Sequence, residues 1–537
     1  MSGDLTRRGV LAGLLGSVGT VALAEAPLVS LRPVSRPGEG LVLPPDIPAL
    51  APPIRPGIAD LIEAAQLGGD VACVVADART GEELVAVGAD IPLPPASVTK
   101  AVTALYALDA LGGGFRFVTR VVAMGDVTDG VLEGDLVLVG GGDPTLSADH
   151  LAQLAADVAE AGIVQVRGRL LCWRGALPYA EEIEPSQLDY LGYNPAVSGL
   201  NLNYNRVHFE WKRSGGAWQT TMDARTEDRV PPVSMARVRI VDRASPVFTA
   251  AGPDRWTVAR SALGQGGSRW MPVRQPALYA GDVFRAVARE VDLTLPAPEV
   301  IDDLPEGFDA GQEVAQHRSP TLRTICQEML LYSTNLTAEI CGLAATQARV
   351  NQPLDIVASA QVMNDWLGET YGIEAAFKDH SGLSDENRIS AAAMQAILLQ
   401  EGPASALRPI LRRIAMRDAD RNRIEDYPVV VRAKTGTLNF VSSLSGFIET
   451  ATGDDLIFTI FTANLERRAQ GKASGAEVPE GSIAWNRRSK RLQQQVLQRW
   501  GLTSREDAPA AEAQATPGGV SLDGILPDLD EPEGEGG

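Results

Sequence analysis

The residues best placed to do chemistry in this chain form three short groups, each with a base, a hydroxyl or both at fixed spacing. In "PPASVTKAVTALYAL", Ser97 stands three residues before Lys100, at the start of a segment whose Ala101, Val102, Leu105 and Leu108 recur at helical spacing and which Gly112 to Gly114 stop. Pro94 and Pro95 are good helix openers, and residues three apart share a helix face, so hydroxyl and amine are neighbours. A cation in a first helical turn opposes the helix dipole by about 0.3 to 1 kcal/mol. That penalty favours a neutral amine, and a neutral amine beside a serine can take its proton and make it a nucleophile. Only six of the chain's 48 Lys and Arg residues are lysine (Lys100, Lys212, Lys378, Lys434, Lys472 and Lys490), so a lysine kept at such a place points to reversible protonation, which arginine does not offer.

In the second group, "YSTN", Ser333 and Asn335 interrupt a helical pattern; by itself this reads as a helix junction. The third, "RAKTGTL", sets Lys434, Thr435, Gly436 and Thr437 in a strand. Glycine weakens a strand interior and marks a bulge or a place where another backbone or a ligand comes close.

Ser-x-x-Lys opening a helix, Ser-x-Asn at a junction and Lys-Thr-Gly on a strand, in this order, resemble the signature of the penicillin-recognising serine enzymes. The resemblance covers nearly all of residues 58–502. The long insertion between Ser97 and Ser333 makes the chain similar to the D-alanyl-D-alanine carboxypeptidase/endopeptidase group of low-molecular-mass penicillin-binding proteins, as do "GDLVLVGGGDPTLS", "YNPAVSGLNLNYN" and "SGLSDENRISA". The resemblance implies an α+β fold: a β-lactamase/transpeptidase-like core, with an antiparallel sheet of about five strands flanked by helices, and a large β-rich inserted domain with room for a smaller one nested in it. It further implies a Ser97 acyl-enzyme formed on peptidoglycan stem peptides and cross-links, inhibition by β-lactams, and no cofactor or metal. By the same resemblance Lys100 is the base, Ser333 and Asn335 relay a proton and hold the substrate amide, and Lys434 pairs with the substrate carboxylate, assisted by the Thr435 and Thr437 hydroxyls. The Ser97 and Thr437 N–H groups form the oxyanion hole, and Gly436 lets substrate lie along the strand edge. Asp189 in the insertion is a candidate contact to the stem peptide's diamino acid. One departure stands out: the basic residue that commonly follows "SGLS" in the group is here Asp385, for which Arg388 is a substitute.

Other readings fit less well. A β-lactamase would carry an acidic "ExxLN" loop and no such insertion, an esterase of this fold would have Tyr at 333, and a Ser-His-Asp hydrolase would set its serine in "GxSxG". A wall-binding protein without activity would have no use for nucleophile, base and glycine strand together.

The elements that must position these groups are legible from pattern. "VACVVADARTGEELVAVG" reads as a hairpin, "VVVRAKTGTL", "FVSSLSGFIET" and "DLIFTIFTAN" as three more strands, and Ile483 to Trp500 as a closing amphipathic helix. The two ends of the chain then build one catalytic domain, 58–114 with 318–502, around a β-rich insert, 115–317. Residues 1–26 carry a basic patch with Arg7-Arg8, an apolar stretch and small residues at Ala22, Ala24 and Ala26, the layout of an export signal of the twin-arginine kind for a periplasmic protein that keeps no stable membrane insertion. Residues 27–57 read as a proline-rich linker and 503–537 as an acidic tail that cannot bury a core. A net charge of -20 argues against nucleic acid. The four cysteines, Cys73, Cys172, Cys326 and Cys341, have no metal-ligand spacing with the four histidines; one disulfide or four buried thiols fit the pattern equally in kind, with thiols favoured.

Overall fold

The computed structural model describes residues 57–418 and 422–502. The leader, nearly all of the proline-rich linker and the acidic tail therefore lie outside the described residues. Helix α1 (Ile58–Ala65) leads into strands β1 (Asp70–Asp77) and β2 (Glu83–Val87), paired antiparallel as the hairpin pattern requires. A single 3₁₀ turn, Ala96–Val98, carries Ser97 into helix α2 (Thr99–Leu111). Nine consecutive residues of α2, Thr99 to Ala107, are buried, so this helix runs through the protein's interior and not along its surface.

The chain then builds a five-stranded sheet from segments spread between Val118 and Arg318, covered by α3 (Ala148–Glu160) and α4 (Pro276–Ala288). Three three-stranded sheets lie within the same stretch, one of Val127–Thr128, Val131–Leu132 and Gln165–Val166, one of Arg206–Ser214, Ala217–Asp223 and Gly266–Pro272, and one of Arg237–Val241, Phe248–Ala250 and Arg255–Ala259. A separate apolar cluster, with Leu138, Leu151, Phe209 and Phe284 fully buried, holds this region together. Helices resume with α5 (Leu322–Tyr332), α6 (Asn335–Val350), α7 (Ile356–Tyr371) and α8 (Ala391–Glu401).

Four strands close the core sheet: β3 (Arg412–Ile414), β4 (Val430–Leu438), β5 (Val441–Glu449) and β6 (Asp455–Ala463). The order is β3-β4-β5-β6-β1-β2, antiparallel throughout, so the first and last parts of the chain meet between β6 and β1. The sheet has six strands where the resemblance implies about five; the extra one, β3, is a three-residue edge strand too short to leave a period-2 signal. Helices α9 (Leu465–Ala473) and α10 (Ser482–Leu502) complete the fold, α10 burying Trp485, Leu492, Val496, Leu497 and Trp500 against one face of the sheet. The helices around α2 cover the opposite face. All four cysteines are buried free thiols.

Candidate active site

Ser97 is reached through a strained turn. Ala96 has φ 46°, a left-handed conformation costly for a residue with a Cβ, and it aims the following serine out of the 3₁₀ turn. Two glycines hold that turn from either side. A Cβ on Gly382 would lie 1.9 Å from the Ala96 carbonyl oxygen, and one on Gly436 would lie 2.5 Å from the Pro95 oxygen and 3.0 Å from the Ser97 nitrogen. The backbone that approaches Gly436 most closely is thus the chain's own.

Lys100 is fully buried, and its Nζ lies 3.0 Å from Ser97 Oγ, 2.7 Å from Asn335 Oδ1 and 2.6 Å from the Ser381 carbonyl oxygen. Two of these partners are amide oxygens that can only accept. The third is a hydroxyl. The three N–H bonds of an ammonium fill all three, and a neutral amine does so as well, its two N–H bonds meeting the amide oxygens and its lone pair accepting the Ser97 O–H, so the same contacts hold on either side of a proton transfer. Burial lowers the Lys100 pKa to about 8, against the opposing pull of Asp379 first and Glu339 second. The helix end favours the neutral form, whereas these two buried acids work in the other direction.

Ser333 sits at φ 60° where α5 ends, and Asn335 begins α6, so the break seen in the pattern is a left-handed corner between two helices. The Asn335 amide is used at both ends: Oδ1 accepts from Lys100, and Nδ2 donates to the Tyr193 carbonyl at 2.9 Å. Lys434 Nζ donates to Ser333 Oγ at 2.9 Å and to the Thr435 carbonyl at 2.7 Å. Desolvation holds the Lys434 pKa well below the ordinary lysine value, with further lowering from the Lys100 and Arg412 cations.

Pairing register decides what the rest of β4 presents. Lys434 faces Ser445 and Gly436 faces Ser443, whose hydroxyl donates to the Pro94 carbonyl on the serine side. Thr435 pairs with Leu444 and Thr437 with Ser442, which receives a hydrogen bond from Gln493 of α10. Both threonines are exposed on that α10 side, so their side chains do not stand beside the Lys434 ammonium and reach the serine side only around the strand edge. β3 pairs only with Val431 to Ala433, so from Lys434 onward β4 has no strand on its outer side.

Residues that motif spacing does not expose complete the site. Glu339, one turn after Asn335 on α6, accepts from the His380 N–H, and burial raises its carboxyl pKa to about 8. The buried Asp379 accepts from the Gly382 and Ser384 N–H groups and from Asn387, fixing the loop that supplies the Ser381 oxygen. Its place two residues before "SGLS" is a signal that could have singled it out. Asp385 carries no substrate-ready cation but is itself paired, to Arg468 at 3.2 Å and Lys472 at 2.9 Å, both from α9. Arg388 turns back to the Asp385 and Asn387 carbonyls. Asp189 is exposed and accepts from the Ala250 N–H at 3.3 Å; none of its contacts is to the motif residues, and the structure does not bring it into the site. No group of three metal-ligating side chains occurs among the described residues.

A serine whose proton a buried lysine can accept, beside a second hydroxyl-lysine pair, on an antiparallel sheet closed by both ends of the chain, defines a serine acyl-transfer enzyme of the β-lactamase/transpeptidase-like fold. The family model for D-Ala-D-Ala carboxypeptidase 3 (S13) matches residues 55–478. The chain belongs to this family, and is a serine-type D-Ala-D-Ala carboxypeptidase. It is 29% identical over 448 residues to a D-alanyl-D-alanine carboxypeptidase of Actinomadura sp., covering 76% of this chain and 80% of that one. A carboxypeptidase of Mycobacterium tuberculosis is 30% identical over 419 residues, 73% of this chain and 76% of that one. Among solved structures, penicillin binding protein 4 of Haemophilus influenzae shares the fold with a TM-score of 0.64 at 18% identity, over 82% of this chain and 99% of that one.

Proposed function

We propose that Ser97 attacks the carbonyl carbon of the penultimate D-alanine of a peptidoglycan stem peptide while Lys100 Nζ takes its proton. The new Ser97 Oγ–C bond forms as the C–N bond breaks. The proton that Lys100 took from Ser97 is relayed to Ser333, held by Lys434, as Ser333 gives its own to the departing amine, so D-alanine leaves neutral at nitrogen, Lys100 is neutral again, and water then cleaves the ester. Lys434 carries the complementary role of carboxylate partner: an arriving anion offsets the burial and like-charge effects that lower its pKa and restores its proton. The Ser97 and Thr437 N–H groups serve as oxyanion donors, and Thr435 and Thr437 meet substrate at the unpaired edge of β4. The observation that carries this reading is the place of the buried Lys100 Nζ, 3.0 Å from Ser97 Oγ and fixed there by Asn335 Oδ1 and the Ser381 carbonyl oxygen.

The same site cuts D,D-cross-links when the leaving group is a second stem peptide, and is acylated by penicillins. In this reading 58–114 with 318–502 form the catalytic domain and 115–317 the insert, behind a leader (1–26) and linker (27–57) that send the enzyme by the twin-arginine route to the periplasm, with 503–537 as an acidic tail. No helix among the described residues is long and apolar enough to cross a membrane. Incubation with a D-Ala-D-Ala pentapeptide tests the assignment: D-alanine is released by the wild type, and Ser97→Ala releases none and forms no penicillin adduct. Release by Ser97→Ala at the wild-type rate sinks it.

A further inference from the structure

A groove of about 530 Å³ runs between the unpaired edge of β4 and helix α10, on the side of the sheet to which Thr435 and Thr437 turn. Its wall is cationic. Arg487 and Arg491, four residues apart and exposed on α10, have no carboxylate partner among the described residues; Asp418 is the one acid among the lining residues. Ile414, Leu444 and Ile483 give it some apolar lining among polar residues, Ile483 being 61% exposed. In a chain of net charge -20 such a surface needs an anionic occupant with some apolar side chains.

The chain itself carries one. After Arg505 there are nine Asp and Glu and no Lys or Arg, and Val520, Leu522, Ile525, Leu526 and Leu529 alternate with Asp523, Asp528, Asp530 and Glu531. The segment starts at the end of the helix that forms the groove wall. Arg487 is about 22 Å from Leu502 along α10 at the helical rise. Eighteen residues, the step from Leu502 to Val520, bridge up to about 60 Å, so the acidic segment reaches the groove with length to spare.

We propose that residues 520–535 dock in this groove of their own chain, covering the threonine side of the strand that carries Lys434. The tail is placed there by tether and charge, and salt weakens the contact because it joins opposite charges at the surface of the groove. This docking needs no assumption about catalysis, so its failure leaves the proposed mechanism untouched.

A labelled peptide of residues 518–537 titrated onto enzyme truncated after Arg505 tests it. Expected are saturable binding, at least tenfold weakening in Arg487→Glu/Arg491→Glu and again in the milder Arg487→Gln/Arg491→Gln, with unchanged thermal midpoints, and at least tenfold weaker binding to the full-length chain, whose own tail fills the site. No binding to the truncated enzyme overturns the proposal. So does equal binding of a scrambled peptide of the same composition, which makes the groove a general polyanion site. Full-length protein that sediments as a dimer while the truncated form is a monomer also overturns it, in favour of docking on a second copy.

Discussion

At Lys100 the decisive quantity is which of two opposed effects wins. Complete burial lowers its proton affinity, Asp379 and Glu339 raise it, and the balance stands at about 8, so a useful fraction of the amine is neutral near pH 7. Glu339→Gln removes one of the opposing acids. The pH profile of penicillin acylation in this variant should therefore have its midpoint below that of the wild type, read by stopped-flow or quench; a midpoint moved upward contradicts the assignment. Lys100→Arg keeps charge but cannot give up the proton, and should slow adduct formation at least a hundredfold, within the range of general-base contributions. That a lysine here must be unusual was legible from its position one turn after a serine. The acids were not: Glu339 has no motif around it, and its approach to Lys100 exists only once α6 is packed against α2.

Strand β4 shows what an element adds to a motif. Its existence, that of β5 and β6 after it and the closing helix all follow from strand and helical patterning, and each is found where the pattern puts it. The role of its glycine does not. Gly436 is needed because the Pro95–Ser97 backbone presses on it, a contact between segments more than 300 positions apart. Gly436→Ala should push the serine turn away from the strand at a cost of about 1 to 3 kcal/mol, and slow acylation roughly tenfold or more while Ser97 and Lys100 remain in place. An alanine variant acylated at the wild-type rate would show that the turn yields without harm. The same alternation that brings Lys434 to Ser333 turns Thr435 and Thr437 to the other side, a consequence of register that is visible only after β4 and β5 are paired.

Across the whole molecule, the insert is part of the site's architecture. Tyr193 caps Asn335 through its carbonyl, Arg269 pairs with Glu477, and Lys472 reaches both Asp385 and Ser186. Asp385 therefore looks anomalous only along the sequence. In space the two cations it faces come from α9, and its carboxyl pKa is held low, against its burial, chiefly by the Lys472 hydrogen bond and the Arg468 charge. Asp385→Arg, although it supplies the basic residue that the resemblance leads one to expect, places a third cation against a buried arginine whose side chain is 6% exposed. We expect the melting midpoint to fall by several degrees, measured by calorimetry, whereas a more stable variant would remove the ion cluster from its structural role. The short strands between residues 115 and 317 were evident from texture, broken by glycine and proline, but the contacts of this stretch with the motif residues were not, because the pairs that make them lie far apart in sequence.

The account rests on Lys100 losing its proton before it takes the one on Ser97. The most direct test is the second-order rate constant for acylation of Ser97 by a penicillin, followed from about pH 5.5 to 9.5 with the adduct located by mass spectrometry. A rise of about tenfold per pH unit, levelling near pH 8, is the predicted result. A rate that is flat across this range, with the adduct still on Ser97, would contradict it.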